Sequence, residues 1–166
     1  NNPLRLADPF GLCQIEVRFS HIGFGAYHGY VLTTDPSGSR NYYRGGPTNT
    51  SSGPLTSGSS GASSALLGAR KDQDSSAWGP IDPQYGEYLP GTPDWDPGQP
   101  PSMSILDNDD ACDSYDQQFA DVMERIRTAR IPYRLLRANS NALVTDILGR
   151  SGFRPGQPPV WAPGWG

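Results

Sequence analysis

The middle of this chain restricts what the rest of it can become. Residues 45–104 are dominated by Gly, Ser, Thr and Pro, residues that weaken helix and strand interiors through backbone freedom or a missing N–H donor. Regular structure is therefore pushed into two flanking blocks. Over the whole chain, 20 glycines and 17 prolines among 166 residues imply many turns, in a composition short of disorder. A structureless loop of this length is unusual inside one domain. The segment is thus expected either to form a functional lid or to hide short strands, with Tyr85–Leu89 the best candidate.

The first block reads as antiparallel sheet. Ile15, Val17 and Phe19 alternate with Glu16, Arg18 and Ser20, the period of a half-buried strand over Gln14–Ser20. After Gly23-Phe24-Gly25, Tyr27–Thr34 is rich in aromatic and β-branched residues, and Asp35-Pro36-Ser37-Gly38 supplies turn chemistry before Asn41–Arg44. Two hairpins and three strands follow. The second block reads as helical. Phe119, Val122, Met123 and Ile126 recur at helical spacing within Tyr115–Arg130, with acidic residues early and arginines late, ending before Pro132. Asn139-Ser140-Asn141 opens a second helix carrying Leu143, Val144, Ile147 and Leu148 on one face, with Gly152 as its stop. The tail from Phe153 is expected to lie extended, anchored by Trp161 and Trp165. The fold class is α+β, a small antiparallel sheet packed on C-terminal helices.

Charge excludes some functions. A formal charge of -4 with 13 Lys and Arg leaves no basic footprint for phosphate backbones, so nucleic acid is a poor partner. No apolar run approaches the length of a transmembrane segment, and no leader of its own is expected at the start. Cys13 and Cys112 can pair in an oxidising compartment, but two cysteines impose no framework and have no zinc spacing. Asp107, Asp109, Asp110 and Asp113 lack the Gly and terminal Glu of a calcium loop and read as a solvated, helix-capping cluster, so no metal is called for.

Pro3, four intervening residues and Asp8-Pro9-Phe10-Gly11-Leu12 resemble the end of an Rhs-family core; read alone, the segment is a turn begun by Asp-Pro. The resemblance implies cleavage after Leu12 by the shell's aspartyl protease, with residues 1–12 closing the core and 13–166 forming a toxin domain. Asp8, Pro9, Gly11, Leu12 and Cys13 would make up the junction. It further implies a secreted effector carried into a target cell by a larger polypeptide of the type VI secretion kind. Its partners would be the Rhs shell and a cognate immunity protein.

The chemistry must come from the residues after Leu12. A helix start presents free N–H groups and partial positive charge, so Ser140 stands where a nucleophile and an oxyanion site can coincide; by spacing alone, Asn139 or Ser140 reads first as the cap of the helix. His28-Gly29-Tyr30-Val31, Tyr43-Arg44-Gly45-Gly46-Pro47, Tyr133, Asn139-Ser140-Asn141 and Pro163-Gly164-Trp165, in that order, resemble a circularly permuted papain-like fold of the lecithin:retinol acyltransferase and NlpC-related families. The resemblance implies a Ser-His hydrolase or acyltransferase without cofactor, with Ser140 as nucleophile and His28 as base. Its substrates would be lipid esters first and peptide or peptidoglycan amides second. Those families usually have Cys where this chain has Ser140, and serine depends more on its base. The third group is expected from the next strand: Asn41, with Tyr42 or Arg44 as alternatives. His21 is the reserve base. Cys13, lying at the junction rather than at a helix start, is read as incidental to catalysis.

Two rivals differ in class. Tyr27-His28-Gly29, with Tyr42-Tyr43-Arg44 and Glu87 as acid, resembles diphtheria-type ADP-ribosyltransferases, which implies NAD. The other is a non-catalytic binding toxin.

Overall fold

The computed structural model describes residues 13–23, 25–48, 78–98, 100–108, 112–134 and 136–166. The junction residues Asp8, Pro9, Gly11 and Leu12 lie outside them, as do Asp109 and Asp110. Strand β1 spans Cys13–Gly23 and β2 spans Ala26–Thr34. They form one long hairpin, from Gln14 opposite Thr34 to Gly23 opposite Ala26. The turn into β3 (Arg40–Pro47) is held by Asp35, whose Oδ1 accepts the amides of Ser37 at 2.8 Å and Ser39 at 2.9 Å. Gly38 there has a φ of 87°, a value side chains resist.

Two further strands come from the Gly/Ser/Pro-rich middle. Strand β4 (Ile81–Glu87) starts four residues before the segment expected and pairs with β3 from Asn41–Glu87 to Pro47–Ile81. It contains Pro83, which an edge strand tolerates because one side of its backbone needs no ladder donor. Strand β5 (Ser102–Asn108) was not anticipated; it pairs with β1 through a bulge at Ile15/Glu16. Asp107 therefore belongs to a strand and not to a run leading into a helix. The sheet is antiparallel, in the order β4-β3-β2-β1-β5. Helix α1 (Asp113–Ala129) carries Asp113 and Asp116 in its first turn and Arg127 in its last, matching the helix dipole. Helix α2 is Ser140–Arg150. The expected α+β architecture is thus present.

Strand alternation sorts the sheet into two faces. Ile15, Val17, Phe19, Val31 and Tyr43 face the helices and meet Phe119, Met123, Val144 and Ile147 in one apolar core. Each such side chain taken out of water contributes roughly 1.5–3 kcal/mol. The opposite face carries a smaller cluster of Tyr30, Leu32, Tyr42 and Tyr88, with Trp95 packed against it. Between the helices and the sheet, Asp116 accepts from Thr33 Oγ1 (2.7 Å), Asn41 Nδ2 (2.8 Å) and Tyr43 Oη (2.8 Å), pinning α1 to β2 and β3. Burial, then the neighbouring Asp116 carboxylate, pushes the Tyr43 hydroxyl far above its ordinary pKa and keeps it a donor.

Cys13 and Cys112 are joined by a disulfide across a sequence separation of 99. It ties the first residue of β1 to the N-cap of α1. For a loop of that length, chain-entropy reasoning assigns about 4–5 kcal/mol to the crosslink. The bond also removes Cys13 as a free thiol.

Candidate active site

The pairing of β2 with β3 runs only from Thr34–Arg40 to Val31–Tyr43, after which β3 continues alone with β4. Among the described residues the first half of β2 has no strand beside it on that side; Tyr27 N donates to Trp161 O of the tail at 2.9 Å, and the rest of the gap is filled in two ways. On one side an asparagine takes the place of a strand. Asn141 Oδ1 accepts from Gly29 N at 2.6 Å, while Asn141 Nδ2 donates to Tyr27 O at 3.0 Å and to Pro163 O at 2.9 Å. Asn139 caps α2, accepting from Asn141 N at 2.9 Å and Ala142 N at 3.1 Å, and its own amide donates to Pro163 O at 2.8 Å. Gly164 follows with a φ of 81°, so close that a Cβ there would stand 2.8 Å from the Asn139 amide. The Asn139-Ser140-Asn141 and Pro163-Gly164-Trp165 segments thus form one joint binding α2, β2 and the tail.

This joint changes the standing of Ser140. It sits in the first turn of α2, and the residue is 3% exposed. The two amides following it, those of Asn141 and Ala142, are both taken up by the Asn139 cap. No hydrogen bond links Ser140 to His28 among the described residues, because alternation along β2 aims His28 at the face turned away from the helices. Their chain neighbours Asn141 and Gly29 are hydrogen-bonded to each other, and the two side chains are on different faces of β2.

On that opposite face the gap is filled by charge. His28 Nε2 lies 3.0 Å from Asp94 Oδ2, and Arg44 Nε lies 2.7 Å from the same oxygen. The side chains of His28 and Asp94 are 7% and 6% exposed. Ser20, directly across from His28 in the hairpin, adds a hydrogen bond to the Asp94 carboxylate. Burial alone would raise the Asp94 carboxyl, but His28, Arg44 and Ser20 more than offset it and hold its pKa down to about 2. The carboxylate is thus charged throughout the neutral range. Arg44 Nε also comes within 3.4 Å of His28 Nε2. A guanidinium has only donors, so its proton goes to Asp94, and the arrangement with an Nε2–H on His28 also donating to Asp94 satisfies all three groups. The other ring nitrogen, Nδ1, makes no hydrogen bond among the described residues.

Asp94 comes from a loop, and the loop is built to hold it. Its φ of 61° is left-handed, a conformation aspartate tolerates better than most residues. Tyr88 clamps both sides: its hydroxyl donates to Asp94 O at 2.9 Å and accepts from Asp96 N at 2.9 Å. Since that single proton is committed, the 3.1 Å contact between Tyr30 and Tyr88 hydroxyls has Tyr30 as donor. Trp95 packs on Tyr88 with ring centroids 4.9 Å apart. Beside this loop a cleft of about 390 Å³ opens, with Asp94 and Ser20 in its wall.

Of the three candidates for a group beside His28, Arg44 alone reaches it. Asn41 is engaged by Asp116, and Tyr42 packs near Tyr88 with ring centroids 6.3 Å apart. His21 lies edge-on to Tyr27, 5.2 Å between centroids. Glu87 is exposed opposite Asn41, and among the described residues nothing joins it to His28. Asp94 escaped the sequence reading; the trace it leaves is Pro93-Asp94-Trp95-Asp96-Pro97, carboxylates around a tryptophan inside a turn-rich segment. Among the described residues no group of three or more His, Cys, Asp or Glu is placed to hold a metal ion, and no helix is long and apolar enough to cross a membrane. No family model, curated protein or solved structure matches this chain.

Proposed function

We propose that this chain is the effector portion of an Rhs-type polypeptide and that it hydrolyses an ester or amide bond, with His28 as general base and Asp94 as its orienting group. The observation that carries the chemistry is the buried 3.0 Å contact between His28 and Asp94, reinforced by Arg44 and bordered by an open cleft. A carboxylate on one imidazole nitrogen fixes the tautomer and stabilises the imidazolium that forms when the other nitrogen takes a proton. Here Nε2–H faces Asp94, leaving the Nδ1 lone pair to accept a proton from water as its oxygen attacks the carbonyl carbon. The same proton then passes to the departing alcohol or amine as the C–O or C–N bond breaks. Arg44 keeps Asp94 ionised.

Delivery rests on the Pro3 and Asp8–Leu12 segment, and with it come the Rhs shell, the immunity protein and type VI transport as expected partners. Lipid esters lead the substrate classes, with peptide or peptidoglycan amides second. In this reading the papain-like resemblance marks the Asn139–Asn141 joint, and Ser140 belongs to that joint and not to the reacting atoms.

The test is growth of bacteria expressing the full chain, directed to cytoplasm or periplasm, against His28→Gln, Asp94→Asn and Ser140→Ala, with folding checked by circular dichroism. His28→Gln is expected to lower hydrolysis by about a hundredfold or more and to relieve toxicity, whereas Ser140→Ala leaves both in place. If a folded Ser140→Ala variant is inert, the serine is the nucleophile and the water mechanism fails. If His28→Gln kills as the parent does, toxicity does not run through this site.

A further inference from the structure

The cleft beside Asp94 has a lining of distinct chemical character. At about 390 Å³ it falls within the range of small-ligand sites. Tyr27, Trp95, His21 and Pro101 contribute ring surfaces, and Asp94 and Asp96 contribute carboxylates; among the described residues neither Lys nor Arg is in the lining. The two carboxylates are not equivalent. Asp94 is already neutralised from behind by Arg44 at 2.7 Å. Asp96 is exposed, accepts the amide of Gly98 at 2.8 Å and pairs with no cation among the described residues.

One uncompensated carboxylate among aromatic rings discriminates between ligand charges. An anion is repelled by Asp96 and finds no Lys or Arg among the described residues of the wall to offset that repulsion. A neutral apolar group gains only contact with the rings. An alkylammonium group gains the ring faces, whose quadrupoles attract cations, and the carboxylate together. The rings are already in place: Trp95 packs at a tilt against Tyr88, His21 lies against Tyr27, and the loop between Asp94 and Asp96 is clamped by the Tyr88 hydroxyl. Little ordering is left to be done on binding.

We propose that this cleft binds an alkylammonium group and is the subsite that presents the ammonium end of a substrate beside Asp94, the partner of His28. The placement beside catalytic groups rests on the function proposed above; the binding itself does not. Two sources share this chemistry, a phospholipid headgroup and an amine-bearing peptide.

Isothermal titration of the full chain with choline and with its uncharged carbon isostere tests the idea, and Trp95 fluorescence supplies an independent reading. Choline is expected to bind about tenfold or more tightly than the isostere, and Asp96→Asn, an exposed and isosteric change, to erase about that preference. Glycerophosphocholine and lysinamide then rank the two sources. Equal affinity for choline and isostere, absence of choline binding, or an unchanged preference in folded Asp96→Asn overturns the proposal. His28→Gln separates it from the catalytic reading, since choline binding persists there when hydrolysis is lost. Choline binding by a chain whose hydrolysis is indifferent to His28 leaves the subsite standing and removes the mechanism.

Discussion

The two faces of this sheet are made from alternate residues of the same strands and do opposite things. The face toward the helices is mainly apolar, with Val17, Phe19 and Val31 closed over by Phe119, Met123 and Ile147, and is interrupted by the Asp116 contacts to Thr33, Asn41 and Tyr43. The face away from them holds the buried cluster of Tyr30, Leu32, Tyr42 and Tyr88 and, beside it, the polar group of His28, Arg44 and Asp94. Apolar burial on the first face supplies stability without directional demands. Desolvated charge on the second is costly unless every partner is in place. The difference shows where a chain of this size concentrates stability and where it holds reactive groups, and it can be broken from either side.

The largest effect is expected on the helix face. Phe119→Ala removes a fully buried ring that meets Tyr43 edge-on, with centroids 5.2 Å apart, and should cost about 3–5 kcal/mol by urea unfolding. An effect below about 1 kcal/mol would mean that the core closes over the loss and that the contrast between faces is weaker than drawn.

On the charged face the effect depends on pH. The folded Asp94 pKa of about 2 lies below the ordinary aspartate value, so its stabilisation is complete above the unfolded pKa, about 4, and is lost as the pH falls through the folded value. The amount is about 2–3 kcal/mol across that window. Unfolding measured from pH 5 down to pH 2 on the parent and on Asp94→Asn should show the variant losing less over the interval. Parallel curves would count against the trio as a linked unit.

The joint between the faces should be the least sensitive. Asn139→Ala removes the cap of α2 and should cost about 1 kcal/mol in thermal or chemical unfolding, with more only if the tail at Pro163 is released as well. Proteolysis of the tail in that variant distinguishes the two cases.

Much of the architecture was legible in the chain because it is written at short range. Strand alternation in Ile15–Phe19, helical spacing from Phe119 to Ile126 and the Asn139 cap depend on neighbours a few residues apart. The missed strand β5 had the same signature, Ser102 and Ser104 alternating with Met103 and Ile105, obscured by the Pro100-Pro101 pair before it. Asn41 was misplaced for a different reason. Its register puts it opposite Thr33, five residues along β2 from His28, a separation that sequence order on the next strand does not reveal.

By itself, then, the sequence determined the α+β class, the two helices, the long hairpin and the residues able to carry charge. Tertiary structure alone decided that His28 turns away from Ser140 and that the partner of His28 is Asp94, 66 residues further on. Periodicity reports which face of its own element a residue occupies. What stands opposite depends on where β2 and β3 part and on how the Tyr88 clamp sets a loop, and both arise only when distant segments pack together.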